Sequence, residues 1–239
     1  MTLKTNNLSY WYNNNPDDYL FKEVNLEFEK GKVYAILGQS GSGKTTFLSL
    51  LAGLDSPKKG EILLNNQNII EKGLTDYRKN AVSTIFQSYN LLPYMTAQQN
   101  VETALDISSV KTTSEKIVTL FDNVGISEDL IDKPVLHLSG GQQQRVAIVR
   151  ALASGHNIII ADEPTGNLDE TTTKDIVTIF KKIAHEQKKT VIIVTHEREV
   201  ADSSDIIFEL RKKEFTLIMT TRQTGGLDEG YKPTSPASA

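Results

Sequence analysis

The sequence has 239 residues, with 26 lysine and arginine residues against 30 aspartate and glutamate residues and a formal net charge of −4. This acidic balance argues against a protein that binds nucleic acid through a basic surface, so we expect no nucleic-acid partner. The absence of cysteine excludes disulfides and thiolate metal sites.

The N-terminal part of the chain has the patterns of antiparallel β-structure. The first ~30 residues and the stretch EILLNNQNI, residues 61–69, are predicted to form strands, with Asn65-Asn66 as the turn of a hairpin. No apolar segment of a signal peptide is visible at the start of the sequence. The longest apolar runs are far shorter than the ~20 residues that span a bilayer. We therefore expect a cytoplasmic location, with any membrane pore supplied by another polypeptide.

Strand-like runs then alternate with helical patterns. They lie at residues 33–37, 61–64, 82–86, 157–161, 190–195 and 206–210. Three are continuously apolar and β-branched, as in strands buried on both faces of a parallel sheet. Helical spacing is seen between them, in Ile176, Ile179, Phe180, Ile183 and Ala184. This alternation predicts an α/β doubly wound core.

Two segments depart from this alternation. Residues 91–153 are mostly helical and contain no clear strand, which predicts an α-helical insertion into the core. Residues 221–239 are rich in glycine, proline, serine and threonine, which is typical of a disordered tail. The sequence thus predicts one domain over residues 1–220, with the helical subdomain inserted and the tail outside it.

The stretch GQSGSGKTT fits the P-loop pattern G-x-x-x-x-G-K-[ST] between a buried strand and a helix. Its glycines allow successive backbone N–H groups to face phosphate oxygens, and the helix N-terminus adds a positive dipole. Lys44 is placed to reach the β- and γ-phosphates, and Thr45 is placed to ligate Mg²⁺. The predicted nucleotide-binding residues are Gly38, Ser40, Gly41, Ser42, Gly43, Lys44, Thr45 and Thr46. The alternative is a chance match in a Gly-Ser loop.

Acidic and imidazole groups follow two further core strands. Asp162 ends the strand NIIIAD and is the candidate partner for the metal, while Glu163 could orient or deprotonate a water. His196 follows TVIIVT at the same sheet edge and is predicted to contact the γ-phosphate. The alternatives are two acids that begin a solvated loop and a histidine with a structural role.

A second glycine motif, LSGGQQQR, lacks a lysine of its own. Ser139 and Gln142 form an S-x-x-Q capping box, so a well-capped helix is one interpretation. A cap does not need two consecutive glycines, however, and Gly140-Gly141 removes side chains where a bulky group could approach the backbone. The motif is thus a candidate anion site without its own cation.

These motifs, with Tyr12, Gln87 in FQSYNLLP, ADEPTGNLD and VTHE, occur in the order found in ATP-binding-cassette (ABC) ATPases, and the resemblance extends to about residue 220. It implies a P-loop NTPase (RecA-like) core with an N-terminal antiparallel β-subdomain and an α-helical insertion. It also implies ATP and Mg²⁺ as ligands. Two subunits of this family pack head to tail, so that the LSGGQ motif of one closes over the ATP of the other.

The resemblance assigns roles to single residues. Tyr12 is similar to the aromatic residue that stacks on adenine, although Tyr10 and Trp11 leave the register open. Gln87 resembles the glutamine that contacts Mg²⁺ and water, and Asp169 resembles the aspartate that reaches the opposite P-loop. The resemblance also makes His196 the switch histidine, and makes Glu163, His196 and Gln87 the catalytic set.

The subgroup that the sequence resembles is the MacB/LolD type, which drives macrolide or peptide export and lipoprotein release. This implies an ATP-hydrolysing subunit, peripheral on the inner face of the membrane, that drives a separate permease. Two alternatives are a soluble ABC-type ATPase that acts on DNA or ribosomes and a P-loop nucleotide kinase.

An apolar stretch around Pro93 follows Gln87. Its apolar side chains are Leu91, Leu92, Tyr94 and Met95. They are predicted either to anchor the helical insertion to the core or to form an exposed surface for a short helix of the membrane subunit.

Overall fold

The computed structural model describes residues 1–13, 15 and 17–220, which form two β-sheets with helices packed around them. The strands are, in chain order, β1 (Thr2–Trp11), β2 (Tyr19–Val24), β3 (Glu27–Glu29), β4 (Val33–Leu37), β5 (Lys59–Leu64), β6 (Gln67–Asn68), β7 (Val82–Ile85), β8 (Ile158–Asp162), β9 (Thr190–Thr195), β10 (Ile206–Arg211) and β11 (Glu214–Thr220). The helices are α1 (Lys44–Leu51), α2 (Ile69–Lys72), α3 (Leu74–Asn80), α4 (Ala97–Ser108), α5 (Ser114–Asn123), α6 (Glu128–Ile131), α7 (Gly140–Ala153), α8 (Glu170–His185) and α9 (Arg198–Asp202), with a 3₁₀ turn at Val135–His137. None of these helices is long and apolar enough to cross a bilayer. The tail expected at residues 221–239 lies outside the described residues.

The larger sheet has the strand order β11-β10-β4-β9-β8-β7, and its strands from β10 to β7 are parallel. Every residue of β4 and β9 is buried, which explains why these strands are continuous apolar runs. The predicted α/β core is therefore confirmed. Leu37 pairs with Thr195 and Asp162 pairs with Val194, so β4, β8 and β9 end at one edge. The loops that follow these three strands are neighbours.

The smaller sheet is antiparallel, in the order β2-β1-β5-β6, with β3 paired to β1. Asn65 and Asn66 have φ values of 51° and 64°, and Leu64 pairs with Gln67 across them. Two successive left-handed residues are typical of a two-residue hairpin turn. The predicted antiparallel region and its turn are thus confirmed.

The segment between β7 and β8 contains α4 to α7 and no strand, apart from an isolated bridge between Thr96 and Pro134. A single apolar cluster joins these helices to the large sheet, because Val101 and Phe121 pack in the same core as Ile85 and Ile159. The helical content agrees with the expectation for residues 91–153. The division into a core and an inserted subdomain stays a prediction.

The edge strand β11 is absent from the sequence predictions. It pairs antiparallel with β10 and brings the ring of Phe215 to 4.5 Å from Phe47 of α1 and 5.9 Å from Phe21 of β2. These aromatic contacts attach the small sheet and α1 to the edge of the large sheet.

Candidate functional site

The P-loop lies between the end of β4 and the start of α1, and its glycines are required by its shape. Gly41 and Gly43 have φ values of 76° and 104°, which side-chain-bearing residues rarely adopt. A Cβ at Gly38 would lie 2.7 Å from the Leu210 carbonyl oxygen and 2.8 Å from Ser42 Oγ. Ser42 Oγ is itself buried and forms no hydrogen bond within the described structure. An orphaned buried hydroxyl inside such a loop indicates a site for an external oxygen ligand.

Lys44 is almost fully buried and extends across the P-loop. Its Nζ donates to the Gln39 carbonyl oxygen at 3.0 Å and lies 3.7 Å from Glu163 Oε1. The same Glu163 oxygen lies 3.1 Å from His196 Nδ1. The structure therefore brings together three predicted residues from the loops after β4, β8 and β9. Glu163 has a φ of 42°, a strained conformation of the kind that occurs at functional sites.

Asp162 lies beside the start of α1. Thr45 Oγ1 donates to Asp162 Oδ1 at 3.4 Å. Burial raises the pKa of the Asp162 carboxyl, the Thr45 hydrogen bond opposes this shift, and the nearby Glu163 charge raises the pKa further. The pair places two oxygen atoms at the P-loop, of the hard type that Mg²⁺ prefers.

A cleft of about 310 Å³ opens beside these groups and is lined by P-loop residues, Glu163, Tyr12 and Leu20. Tyr12 is 64% exposed, and its hydroxyl contacts Thr46 Oγ1. Tyr10 is buried and donates to Asp55 Oδ2 at 2.7 Å, and this bond, together with burial and the Asp55 charge, raises the pKa of Tyr10 to about 12. Of the two tyrosines, Tyr12 is therefore the one that faces the cleft. Leu20 was not predicted, because an apolar residue after the polar run NNNPDD carries no signal of a site.

The LSGGQ motif begins α7 and does not line this cleft. Ser139 is the N-cap, and its side chain and that of Gln142 form the predicted reciprocal capping box. A Cβ at Gly141 would lie 2.6 Å from Thr172 Cγ2, so packing within the chain already requires this glycine. Gly141 thus has a packing role against α8 that is separate from the cap, which Ser139 and Gln142 form. At Gly140 the nearest atom, Tyr89 Oη, would be 3.4 Å away.

Asp169 and Gln87 are also outside the set of residues that line the cleft. Asp169 caps α8, where it accepts from Thr172 N at 3.0 Å and from Thr172 Oγ1 at 2.6 Å, and these bonds lower the pKa of its carboxyl. Gln87 packs near Gly166, where an added Cβ would lie 3.5 Å from its Nε2.

The apolar stretch after Gln87 divides into two groups. Leu91 is half-buried and packs against the main apolar core, so the anchoring interpretation applies to it. Leu92, Tyr94 and Met95 are exposed, Tyr94 by 85%. Leu136 N donates to the Pro93 carbonyl oxygen at 3.1 Å, which places the exposed Leu136 beside them. We call Leu92, Tyr94, Met95 and Leu136 the apolar patch.

The family model and the most similar relatives point to the same protein family. Residues 21–166 match the family model described as "ABC transporter". The "Uncharacterized ABC transporter ATP-binding protein YclH" of Bacillus subtilis is 49% identical, over 90% of this chain and 96% of the relative. The "Macrolide export ATP-binding/permease protein MacB" of Bdellovibrio bacteriovorus is 42% identical over 80% of this chain, which spans 30% of that longer protein.

The solved structures agree with the sequence comparison. The dimeric cassette MJ0796 of Methanocaldococcus jannaschii superposes with a TM-score of 0.81 at 35% identity, over 92% of this chain and 99% of that one. Its dimer in a post-hydrolysis state with ADP and Pi gives a TM-score of 0.80. These findings confirm the predicted fold class and the MacB/LolD-type resemblance, and they give no support to the alternative of action on DNA or ribosomes. The chain belongs to the ABC transporter family, as an ATP-binding subunit that hydrolyses ATP.

Proposed function

We propose that this chain powers the export or extraction of a peptide, drug or lipoprotein by closing a head-to-tail dimer over two ATP molecules on a membrane permease. The observation that carries this proposal is the separation of two half-sites. The P-loop, Lys44 and Glu163 surround one cleft, whereas the capped N-terminus of α7 does not line it. A second copy could present its α7 to the open side of the cleft.

The residues of the cleft supply the steps of hydrolysis. Lys44 would exchange its contact with Glu163 for the β- and γ-phosphates, because both are anionic and the ammonium is buried. Glu163 would then accept the proton of the attacking water while the bond between the γ-phosphorus and ADP breaks. His196, 3.1 Å from the Glu163 carboxylate, would orient that carboxylate and contact the γ-phosphate.

The oxygens of Thr45 and Asp162 fit a magnesium ion in this site. They lie 3.4 Å apart, and Mg²⁺ is usually held by one or two protein oxygens together with phosphate oxygens and waters. The ion would neutralise charge on the β- and γ-phosphates. Gln87, whose Nε2 lies near Gly166 as Glu163 Oε2 does, would join this shell. Tyr12 would stack on the adenine.

Complementation in trans tests the composite site. Ser139→Arg fills the N-terminus of α7 but leaves the same chain's P-loop intact, while Lys44→Ala removes the P-loop cation but leaves α7 intact. Each homodimer is expected to be inactive. A heterodimer purified through two different tags contains one site built wholly from intact halves, and it is expected to hydrolyse ATP at about half the wild-type rate. An active Ser139→Arg homodimer, or an inactive heterodimer of folded subunits, would refute the proposal.

The apolar patch is the proposed contact with the permease. MacB carries ATP-binding and permease functions in one chain of which this chain matches the smaller part, and the described helices here include none that crosses a bilayer. The proposed permease is a separate polypeptide. A surface with Tyr94 85% exposed suits the docking of a short amphipathic helix from that partner.

A charge placed in the patch tests this contact. Tyr94→Asp is expected to keep the fold and ATP binding but to release the subunit from detergent-solubilised membranes of the source organism. The matched control is Ile70→Asp, which places the same charge on an exposed apolar residue of α2 outside the patch. Retention of both variants at the wild-type level would exclude the patch as the docking site.

A further inference from the structure

The loop that carries Gln87 is attached to α7 through one side chain. Tyr89 N donates to the Phe86 carbonyl oxygen at 2.9 Å, which closes a turn around Gln87. Arg150 of α7 then donates from Nη2 to the Tyr89 carbonyl oxygen at 2.7 Å and from Nη1 to the Asn90 carbonyl oxygen at 2.5 Å. The planar guanidinium thus holds two successive carbonyls with one fork, a geometry that lysine cannot reproduce.

The backbone held by this fork is unusual. Tyr89 and Asn90 have φ values of 59° and 50°, so two side-chain-bearing residues in succession are left-handed. Such a conformation costs free energy and persists only where surrounding contacts determine it. Arg150 supplies that determination from a partly buried position, where burial lowers the pKa of its guanidinium.

Tyr89 also connects the two ends of α7. Its carbonyl oxygen is bound by Arg150 in the last turn of the helix, while its hydroxyl lies beside Gly140 in the first turn. Ten residues of helix separate Gly140 from Arg150, a distance of about 15 Å. Tyr89 reaches the first turn with its hydroxyl and the last turn through Arg150. The residue two positions after Gln87 therefore contacts both the first and the last turn of the helix that begins with the LSGGQ motif.

We propose that Arg150 is a positioning residue, which joins the Gln87 turn and the N-terminus of α7 into one unit, so that both ATP sites of a dimer depend on the Arg150 of each subunit. This rests on the proposed head-to-tail dimer. In that dimer, Gln87 serves the ATP bound by its own chain and α7 serves the ATP bound by the partner chain.

The complementing heterodimer separates these two effects. In its single intact site, the Ser139→Arg subunit supplies the P-loop and Gln87, and the Lys44→Ala subunit supplies α7 and Asp169. Arg150→Gln is added to one subunit or to the other. We expect either placement to lower kcat of the intact site by about 10- to 100-fold, the cost of a misplacement of about 1 Å, with little change in KM for ATP.

The controls separate positioning from folding. Lys182→Gln removes a positive charge from the last turn of α8, as Arg150→Gln does in α7, but Lys182 is exposed on another helix, and we expect this variant to retain the parent rate. Arg150→Lys keeps the charge but not the fork, so we expect melting close to that of wild type together with a reduced kcat. Tyr89→Ala removes both the ring and the hydroxyl beside Gly140 and is expected to lower kcat, and Tyr89→Phe, which loses only the hydroxyl, is expected to lower kcat less.

The experiment distinguishes failure of the Arg150 inference from failure of the dimer proposal. An inactive parent heterodimer with Arg150 intact counts against the composite site. If the parent heterodimer is active, a lower kcat with Arg150→Gln in either subunit supports the inference. The inference is overturned if Arg150→Gln leaves kcat normal in one of the two subunits. It is also overturned if Arg150→Lys and Tyr89→Ala both have a normal kcat.

Discussion

Glu163 offers the sharpest test of the catalytic assignment, because substitution by glutamine replaces one carboxylate oxygen with an amide nitrogen and leaves the shape of the side chain almost unchanged. In Glu163→Gln the side chain keeps its length, and an amide oxygen can still face His196 Nδ1, which is 3.1 Å from Oε1 in the wild type. What is lost is the negative charge and the ability to accept a proton. The left-handed backbone at this position is unchanged by the substitution.

The expected magnitude follows from these contacts. A positioned general base contributes about 10²- to 10⁴-fold, so kcat should fall by that factor, which is about 3–5 kcal/mol of activation free energy. ATP binding should be retained or tightened, because Lys44 Nζ loses the carboxylate 3.7 Å away and the phosphates become the main anionic partner of a buried ammonium. The variant should therefore accumulate as an ATP-bound dimer.

Three measurements check this expectation. Phosphate release under single-turnover conditions gives the chemical rate, titration with a fluorescent ATP analogue gives Kd, and size-exclusion chromatography with ATP gives the dimer fraction. Glu186→Gln, on the exposed residue that follows α8, is the matched charge control and should behave as wild type. Near-normal turnover in a folded Glu163→Gln protein would refute the role of Glu163 as the base.

Three further predictions concern the surroundings of the site. Gly141→Ala forces a Cβ to within 2.6 Å of Thr172 Cγ2 and should lower the free energy of unfolding, measured in urea, by about 1–3 kcal/mol. Thr172→Ser removes that methyl group, so the double variant should recover most of the lost stability. If the two substitutions instead change the stability independently of each other, the predicted clash is contradicted. Burial raises the pKa of Asp162 in the folded state, so the charged carboxylate opposes folding at pH values above that pKa. Asp162→Asn should therefore raise the melting temperature of the nucleotide-free protein at pH 7, and the difference from wild type should shrink as the pH falls through the raised pKa. An unchanged melting temperature at pH 7 would contradict this prediction. Tyr12→Ala should weaken ATP binding by about five- to 100-fold through lost stacking, whereas Tyr12→Phe should bind nearly normally, and equal Kd values for Tyr12→Ala and wild type would exclude the stacking role.

The sequence predicted the parts of the fold that depend on local pattern. Continuous apolar runs identified the buried strands, and Asn65-Asn66 identified the hairpin, because these signals lie within a few neighbouring residues. β11 was missed although Phe215 and Leu217 alternate with polar residues in a strand pattern. Its attachment to the rest of the fold depends on Phe21 and Phe47, which are remote in sequence from Phe215. No local pattern contains that information.

The site residues also divide into those that a local sequence pattern predicts and those whose role depends on contacts between distant residues. Lys44 was found from the P-loop pattern, and Asp162 and Glu163 were found because they lie at the end of the buried strand β8. The contact of Arg150 with the carbonyls of Tyr89 and Asn90 links positions 60 and 61 residues apart, and carbonyl acceptors leave no trace in a sequence. The packing reason for Gly141 likewise required the position of Thr172, a residue of another helix.

The place of β10 in the sheet has a consequence for the order in which the protein can acquire its activity during synthesis. β4, which carries the P-loop, is flanked by β9 and β10, and Gly38 rests against the carbonyl oxygen of Leu210. Both neighbouring strands are translated more than 150 residues after β4. At about 5–20 residues per second, the ribosome completes the walls of the phosphate-binding loop roughly ten seconds or more after making the loop itself. A nascent chain halted before β10 would contain every residue of the P-loop and yet lack the support that gives the loop its shape.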